Sequence, residues 1–410
     1  VARWLEEEGL QAIHVTAYGW DHPILRGSTP RLPGFLLPLA EGVKKSVNIP
    51  VIAVGRIDTQ LAEKALQEGK ADLIAMGRAL FVDPYLPEKA AAGRFEDIRP
   101  CTGCVRCRDG LLQARDGLTH ERSGIRCEVN PVLGREKELE ITPATKSKKV
   151  VVVGGGPAGM EAARVAALRG HKVILYEKEQ NLGGQLLIAS VPPEKEGLEP
   201  VRSYMETQVK KLGVRLELGK EVTPEVLAAE KPEAVIAAVG CQPYIPQIKG
   251  VNHRSVVLAT DVLAGKASVG KSAAIIGGEL VGCEVADFLA QKGKRITVTE
   301  IRVGPEVATG VNQTQRRYLL QRLEENGVRI LTGVKYEAID DNGLILINNK
   351  GERETIKADT VILAAGSRPN SDLIQSLQGS AAEFIMAGDC VEPRSVMEAV
   401  TEGFEAGLRI

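Results

Sequence analysis

Hydrophobic positions in residues 1–97 fall into a repeated unit, a helical stretch with one apolar face followed by a short, nearly continuous apolar run. ARWLEEEGL leads into QAIHVTAYGW, FLLPLAEGVKKSV into IPVIAVGRI, and TQLAEKALQEGK into ADLIAMGRALF. Runs that are apolar at successive positions suit strands covered on both faces, as in a parallel sheet. The last two strands end in Gly-Arg, at Gly55-Arg56 and Gly77-Arg78, one βα unit apart. In a (β/α)8 barrel the loops after the seventh and eighth strands commonly bind phosphate through backbone N–H groups and a helix N-terminus. Glycine admits the phosphate and arginine adds a fork of donors. The competing reading is a pair of solvated strand-end arginines, but two in register favour phosphate. The segment is expected to be the C-terminal part of a TIM (β/α)8 barrel. Only three of its strands are present, the chain starts without Met inside a helix, and a helix is still running at GFEAGLRI. A fragment lacking the first five barrel strands is therefore expected.

Past a polar linker, ITPATKSKK, the pattern changes to two copies of a longer unit. In KVVVVGGGPAGMEAARVAALRGHKVILYEKE a strand runs into Gly154, Gly156 and Gly159, a helix follows, and the next strand ends on Glu177. A lone G-x-G-x-x-G is weak evidence, but strand before, helix after and an acid about 20 residues on make a dinucleotide fingerprint. The glycines let a pyrophosphate rest on the helix N-terminus, and Glu177 can accept both ribose hydroxyls; the alternative is a tight βα turn without ligand.

The second copy, SAAIIGGELVGCEVADFLAQKGKRITVTE, carries Gly277, Gly278 and Gly282 and ends on Glu300, with Glu279 in the middle glycine position. A carboxylate beside a pyrophosphate is unfavourable unless it points away, so a working site competes with a retained fold of weakened affinity. Glu300 prefers a free 2'-hydroxyl, hence NADH over NADPH, and Arg302 tempers that preference. AAVGCQP and ILAAGSRPN follow the two copies, and FIMAGDCVE closes the series. Asp389 there can reach a ribityl hydroxyl or cap a helix. This order predicts two Rossmann-like folds, the second inserted in the first; by resemblance they are an NAD(P) domain inserted in an FAD domain, as in glutathione reductase. The expected boundaries are 1–97 for the barrel segment, 98–145 for a cysteine segment and linker, 146–255 with 367–410 for the FAD domain, and 256–366 for the NAD(P) domain.

Composition narrows the remaining options. The 410 residues carry 52 Lys plus Arg against 53 Asp plus Glu, a net charge of -1, so no basic field calls for nucleic acid or an anionic membrane. No apolar run approaches the ~20 residues of a spanning helix, and VARWLEEEGL is no secretory signal. A cytoplasmic α/β protein acting on small molecules is expected, and self-association into a homo-oligomer is compatible with the chain.

Cys101, Cys104, Cys107 and Cys127 stand between the barrel segment and the first dinucleotide fingerprint. Their crowding into one C-x2-C-x2-C knuckle plus a later partner favours a cubane iron-sulfur cluster over a structural zinc, which usually pairs two C-x-x-C knuckles. Cys241, Cys283 and Cys390 stand in apolar surroundings and read as small buried hydrophobes. His120, His171 and His253 read as surface or satisfied structural residues.

The ordered set GRI, MGRALFVDP, C-x2-C-x2-C, VVGGGPAGMEAA, LGGQL, GGELVGCE and AGDC resembles the NADH:flavin oxidoreductase family that includes 2,4-dienoyl-CoA reductase, 2-enoate reductases and trimethylamine dehydrogenase. The resemblance implies an FMN-binding barrel, a [4Fe-4S] cluster on the four cysteines, an FAD domain and an NAD(P) domain. It places Gly55, Arg56, Gly77 and Arg78 at FMN phosphate, and Gly156, Ala158, Glu177, Gly184, Gln185 and Asp389 at FAD. AYGWDHP resembles a stretch in which a histidine after Gly-Trp assists protonation; Asp21 takes that place here, and His22 is carried over as the proton donor. The implied activity is reduction of a C=C bond in an α,β-unsaturated carbonyl compound, with electrons passing from NADH through FAD, cluster and FMN. An amine dehydrogenase with a vestigial NAD domain is the alternative, favoured by the short knuckle and by Glu279. A non-catalytic nucleotide-binding electron carrier is a third.

Overall fold

The computed structural model describes residues 1–17, 33–115, 124–304 and 306–410; His22 with Asp21, and His120, lie outside them. Residues Val1–Leu133 form one compact unit and Gly134–Ile410 another.

In the first unit β1 (Ile13–Val15), β2 (Val51–Ala53) and β3 (Leu73–Ile74) form a parallel sheet in that order. The helices Leu37–Lys44 and Thr59–Gln67 make the crossovers. Asp58 starts the second of these by accepting the Leu61 N–H at 2.8 Å. Val15, Val51 and Ala53 pack against Ala40, Ala62 and Ala65, the small helix residues allowing close approach of helix to sheet. Parallel register puts the Gly55-Arg56 and Gly77-Arg78 turns at the same end of their strands, as a barrel segment requires.

The second unit holds β4 (Lys149–Val153), β5 (Lys172–Glu177), β6 (Arg215–Leu218), β7 (Ala234–Ala237), β8 (Cys241–Pro243), β9 (Val256–Leu258), β10 (Ser272–Ile276), β11 (Arg295–Glu300) and β12 (Arg329–Thr332). It continues with β13 (Lys335–Asp340), β14 (Gly343–Ile347), β15 (Arg353–Lys357), β16 (Thr360–Leu363), β17 (Ser367–Pro369) and β18 (Glu383–Met386). One parallel sheet runs β18-β7-β4-β5-β6 and another β12-β11-β10-β16-β9. Because β9 to β16 fall between β7 and β18 along the chain, the second doubly wound layer is inserted into the first, as its motif order predicts. The antiparallel ribbon β13-β14-β15 covers one face of the inserted sheet, its Leu344, Leu346 and Ile356 meeting Ala274, Ile276, Val361 and Leu363. Helices cover the other face through Cys283, Val285, Leu289, Leu319 and Leu323.

The helix Pro157–Leu168 is pressed between its own sheet and the helix Val396–Arg409. Gly403 and Gly407 make that approach possible: a Cβ at Gly403 would run into the Ala158 carbonyl, and one at Gly407 would come within 2.7 Å of Val165 Cβ. Gly403→Val will therefore lower stability by about 1–3 kcal/mol, the cost of overpacking, and thermal unfolding will show it as a lower Tm. An unchanged Tm would mean that the helices separate at no cost. Ser395 starts the second helix with a capping box to Glu398. Among the described residues no helix is long and apolar enough to cross a membrane.

Candidate functional site

The first cradle follows from chain geometry. β4 is buried along Val150–Val153, so it must turn sharply into the next helix. Gly154 does so at φ 106°. Cβ atoms at Gly154 and Gly159 would strike the Ala238 and Gly154 carbonyls, so only glycine fits either place. Gly156 takes the N-cap of Pro157–Leu168 in extended conformation, leaving the helix N-terminus uncovered by side chain. Gly184, at φ 52°, lies against it, and a Cβ there would come within 3.0 Å of Gly156 Cα. Ala158 is buried one residue into the helix. Glu177, 7% exposed, ends β5 with Oε2 accepting the Gly155 N–H at 2.7 Å and Oε1 the Glu179 N–H at 2.9 Å. These are the features an adenosine diphosphate moiety needs: backbone bare enough for a pyrophosphate and a fixed carboxylate for the ribose.

Further along, Gln185 Nε2 donates to Asp389 Oδ2 at 2.9 Å and lies 3.1 Å from Cys241 Sγ, itself 3.5 Å from Asp389. The structure thus gathers Gln185 and Asp389, and adds Cys241, whose surroundings are polar rather than the apolar packing expected. Burial and the Asp389 charge push its thiol up. A signal for it existed: Gly240-Cys241 matches Gly366-Ser367 at the end of the inserted fold, and β8 pairs antiparallel with β17. Asp389 is not an N-cap, because Ser395 caps the following helix; its Oδ1 accepts the Arg394 N–H at 3.1 Å. Cys283 and Cys390 are buried, as expected of small hydrophobes.

The inserted cradle repeats the first. Gly277 turns at φ 113°, Cβ atoms at Gly277 and Gly282 would meet the Ala364 and Gly277 carbonyls, and Glu300 Oε2 accepts the Gly278 N–H at 2.9 Å. Glu279 stands at the N-cap of Leu280–Ala290, where Gly156 stands in the first cradle. Its carboxylate turns aside, accepting Thr309 N–H at 2.9 Å, Thr309 Oγ1 at 2.6 Å and Gly310 N–H at 3.3 Å, and pairing with Arg302. Burial opposes ionisation of Glu300, but hydrogen bonds from Arg302 and Gly278 outweigh it and hold its carboxyl below the usual range.

In the first unit the cysteine knuckle and its later partner are tied by side chains. Thr102 Oγ1 donates to Glu128 Oε2 at 2.7 Å, Arg106 lies 3.8 Å from the same carboxylate, and Arg99 donates to the Val129 carbonyl at 2.5 Å. Asp83 of MGRALFVDP is 3% exposed and accepts the Arg99 N–H at 2.9 Å and Lys89 Nζ at 2.6 Å, so that motif anchors the entry to the knuckle. Gly103 at φ 78° and Val105 at φ 60° bend the chain around Cys104. Cys101, Cys107 and Cys127 lie within electrostatic reach of one another, and Cys104 within reach of Cys127. Burial raises the Cys104 and Cys107 thiols and pushes Cys127 up to about 11, against backbone N–H groups of Arg106, Arg108, Val129 and Asn130 directed at sulfur. Among the described residues no three metal-ligating side chains converge closely enough to hold a single ion. The four thiols share one neighbourhood without being drawn into a coordination shell, while the donor set, thiols with N–H groups aimed at sulfur, fits a cluster.

The Gly-Arg turns face that loop. Gly55 turns at φ 127° and Arg56 at φ 52°, and a Cβ on Gly103 would come within 3.0 Å of Arg56 Cζ. Gly77 caps the helix Arg78–Val82; Arg78 acts electrostatically on Cys107, and its buried Nη1 has no hydrogen-bond partner among the described residues. An orphaned guanidinium donor at a strand-end turn fits an anionic group such as a phosphate. His171 is buried, its Nδ1 accepting the Lys148 N–H at 3.1 Å and its Nε2 without a hydrogen-bond partner among the described residues, so it is only half satisfied; His253 Nδ1 lies 2.8 Å from Ser255 Oγ.

Comparison with known proteins places this geometry. Residues 148–403 match the pyridine nucleotide-disulphide oxidoreductase model and residues 2–97 the NADH:flavin oxidoreductase / NADH oxidase family model. An NADH oxidase of Thermoanaerobacter brockii is 40% identical over 100% of this chain and 63% of its own length. A cinnamate reductase of Clostridium sporogenes is 34% identical over 95% of this chain and 57% of its own. The solved complex of 2-naphthoyl-CoA reductase superposes with a TM-score of 0.92 at 32% identity, over 100% of this chain and 62% of that one. The chain thus spans less than two thirds of the length of these relatives. With its paired glycine cradles and a family model matching more than half of its residues, the chain belongs to the pyridine nucleotide-disulphide oxidoreductase family and carries ahead of that region a segment of the NADH:flavin oxidoreductase / NADH oxidase family.

Proposed function

We propose that the protein is an NADH-dependent flavin oxidoreductase reducing the C=C bond of an α,β-unsaturated carbonyl compound of the 2-enoate or enoyl thioester class. FAD is assigned to the first cradle, NADH to the inserted one, a [4Fe-4S] cluster to Cys101, Cys104, Cys107 and Cys127, and FMN phosphate to the turns at Gly55-Arg56 and Gly77-Arg78. The domain boundaries proposed are 1–97, 98–145, 146–255 with 367–410, and 256–366. The observation that carries the reading is the duplicated cradle, in which Gly155 and Glu177 at 2.7 Å are repeated by Gly278 and Glu300 at 2.9 Å. Two nucleotide sites in one compact unit suit a protein that takes a hydride from one nucleotide onto another. The substrate class is supported by relatives named for reduction of cinnamate and of 2-naphthoyl-CoA.

When bound, the flavins and the cluster supply hydride and single-electron transfer in the order NADH, FAD, cluster, FMN, substrate. The chain's own residues bind and orient. Glu177 and Glu300 fix the riboses, the bare helix N-terminus at Gly156 receives one pyrophosphate, and the N-terminus of Leu280–Ala290, from which the Glu279 carboxylate turns aside, receives the other. Gln185 and Asp389 offer an amide and a carboxylate at the turn beyond the first cradle, and Arg56 and Arg78 supply cations beside the thiols. Substrate protonation is assigned to His22 on the resemblance of AYGWDHP.

Anaerobic mixing of the full-length protein with NADH tests this. FAD will bleach rapidly and FMN more slowly, and a 2-enoate or enoyl thioester will restore turnover. Absence of bleaching with NADH, together with flavin reduction by a secondary or tertiary amine, would overturn it in favour of an amine dehydrogenase.

A further inference from the structure

We propose that Glu279 is a specificity-determining residue: it holds the Arg302 guanidinium away from an adenosine 2'-phosphate and so reserves the inserted cradle for dinucleotides with a free 2'-hydroxyl. The inference rests on reading that cradle as a nucleotide site.

An arginine shortly after the ribose-binding acid is the residue that accommodates a 2'-phosphate in such folds. Arg302 stands there, two positions beyond Glu300, and by sequence alone it weakens any preference for NADH. In the structure its Nε and Nη2 are engaged by carboxylates. Nε lies 3.1 Å from Glu300 Oε1, Nη2 lies 3.3 Å from Glu300 Oε2, and Nη2 also pairs with Glu279 Oε1. Two carboxylates against one guanidinium leave the group with net negative charge, which disfavours an incoming phosphate.

Glu279 is fixed rather than free to swing aside. Thr309 binds it through N–H and hydroxyl, at 2.9 and 2.6 Å, and Gly310 through N–H at 3.3 Å. The segment carrying these donors is itself fastened to the cradle. The Ala308 N–H donates to the Gly278 carbonyl at 2.8 Å, Val307 is 2% exposed, and Arg316 Nε donates to the Val307 carbonyl at 2.7 Å. The replacement of the middle glycine therefore has a use: the carboxylate leans away from the helix N-terminus and toward the ribose end, where it neutralises the nearest cation. Glu279 and Arg302 side chains are 41% and 48% exposed, so a ligand can reach both.

The test uses FAD-saturated full-length protein, so that the first cradle is filled, titrated calorimetrically with adenosine 5'-diphosphate and with its 2'-phosphorylated analogue. The unsubstituted protein will bind the first more tightly. Glu279→Ala and Glu279→Gln will each move the affinity ratio toward the 2'-phosphorylated ligand by about tenfold, the scale of one charge-assisted hydrogen bond. Adding Arg302→Ala to Glu279→Ala will abolish that shift. A ratio unchanged in both single variants, or a shift that survives loss of Arg302, overturns the assignment. Unsubstituted protein that binds neither ligand overturns the nucleotide-site reading itself, a different and separable result.

Discussion

Glu177→Ala protein will purify with a small fraction of its FAD. Removing the carboxylate deletes the acceptor for both ribose hydroxyls, and each charge-assisted bond contributes about 1.5–3 kcal/mol, so affinity falls by more than about 100-fold. The same change strips the buried Gly155 N–H of its 2.7 Å partner, a further cost of about 1–3 kcal/mol to the fold. The Glu179 N–H lies at the surface and can turn to water. Flavin released on denaturation, separated chromatographically into FAD and FMN, measures the effect, and Tm reports the folding part. Glu177→Gln keeps an oxygen for Gly155 without the charge, so it will retain more stability than flavin. Stoichiometric FAD in the alanine variant would contradict the assignment of Glu177.

Cys104→Ala will remove the iron altogether. Anaerobically prepared full-length protein is expected to hold about four iron per chain with broad visible absorbance, as four thiolates bind a cubane. The variant will lose both. NADH will still bleach FAD, because the Glu177 and Glu300 cradles do not involve the knuckle, but FMN will stay oxidised. Metal analysis of the unsubstituted protein decides the ligand chemistry independently: zinc without iron would end the cluster assignment.

Much of this architecture was readable in the residues, for a physical reason. Strand runs such as Val150–Val153 and Ala273–Ile276 are apolar because both faces are covered, and Gly154 and Gly277 are glycine because a Cβ would strike a carbonyl. Local sterics of that kind leave a local trace. Side-chain meetings between distant segments leave at most an indirect trace, such as the match of Gly240-Cys241 to Gly366-Ser367. The approach of Gln185, Cys241 and Asp389, and the turning of Glu279 toward Thr309, depend on how separate turns are aimed. From the residues alone Cys241 accordingly reads as a buried hydrophobe, and both orientations of Glu279 are open. The Thr102, Arg106 and Arg99 ties that bring Cys127 to the knuckle are of the same sort.

The seating of Gly403 against Ala158 has a consequence for biosynthesis. The helix that bears the first cradle is completed early on the ribosome, yet the surface it must lean on is translated only after the whole inserted layer. Until residues 383–386 have emerged β7 lacks its neighbour β18, and until residues 396–409 have emerged Ala158 and Val165 lack their covering. With FAD assigned to the first cradle, its capture is expected to be coupled to arrival of the Val396–Arg409 segment, and nascent chains halted within the inserted layer are expected to carry no FAD.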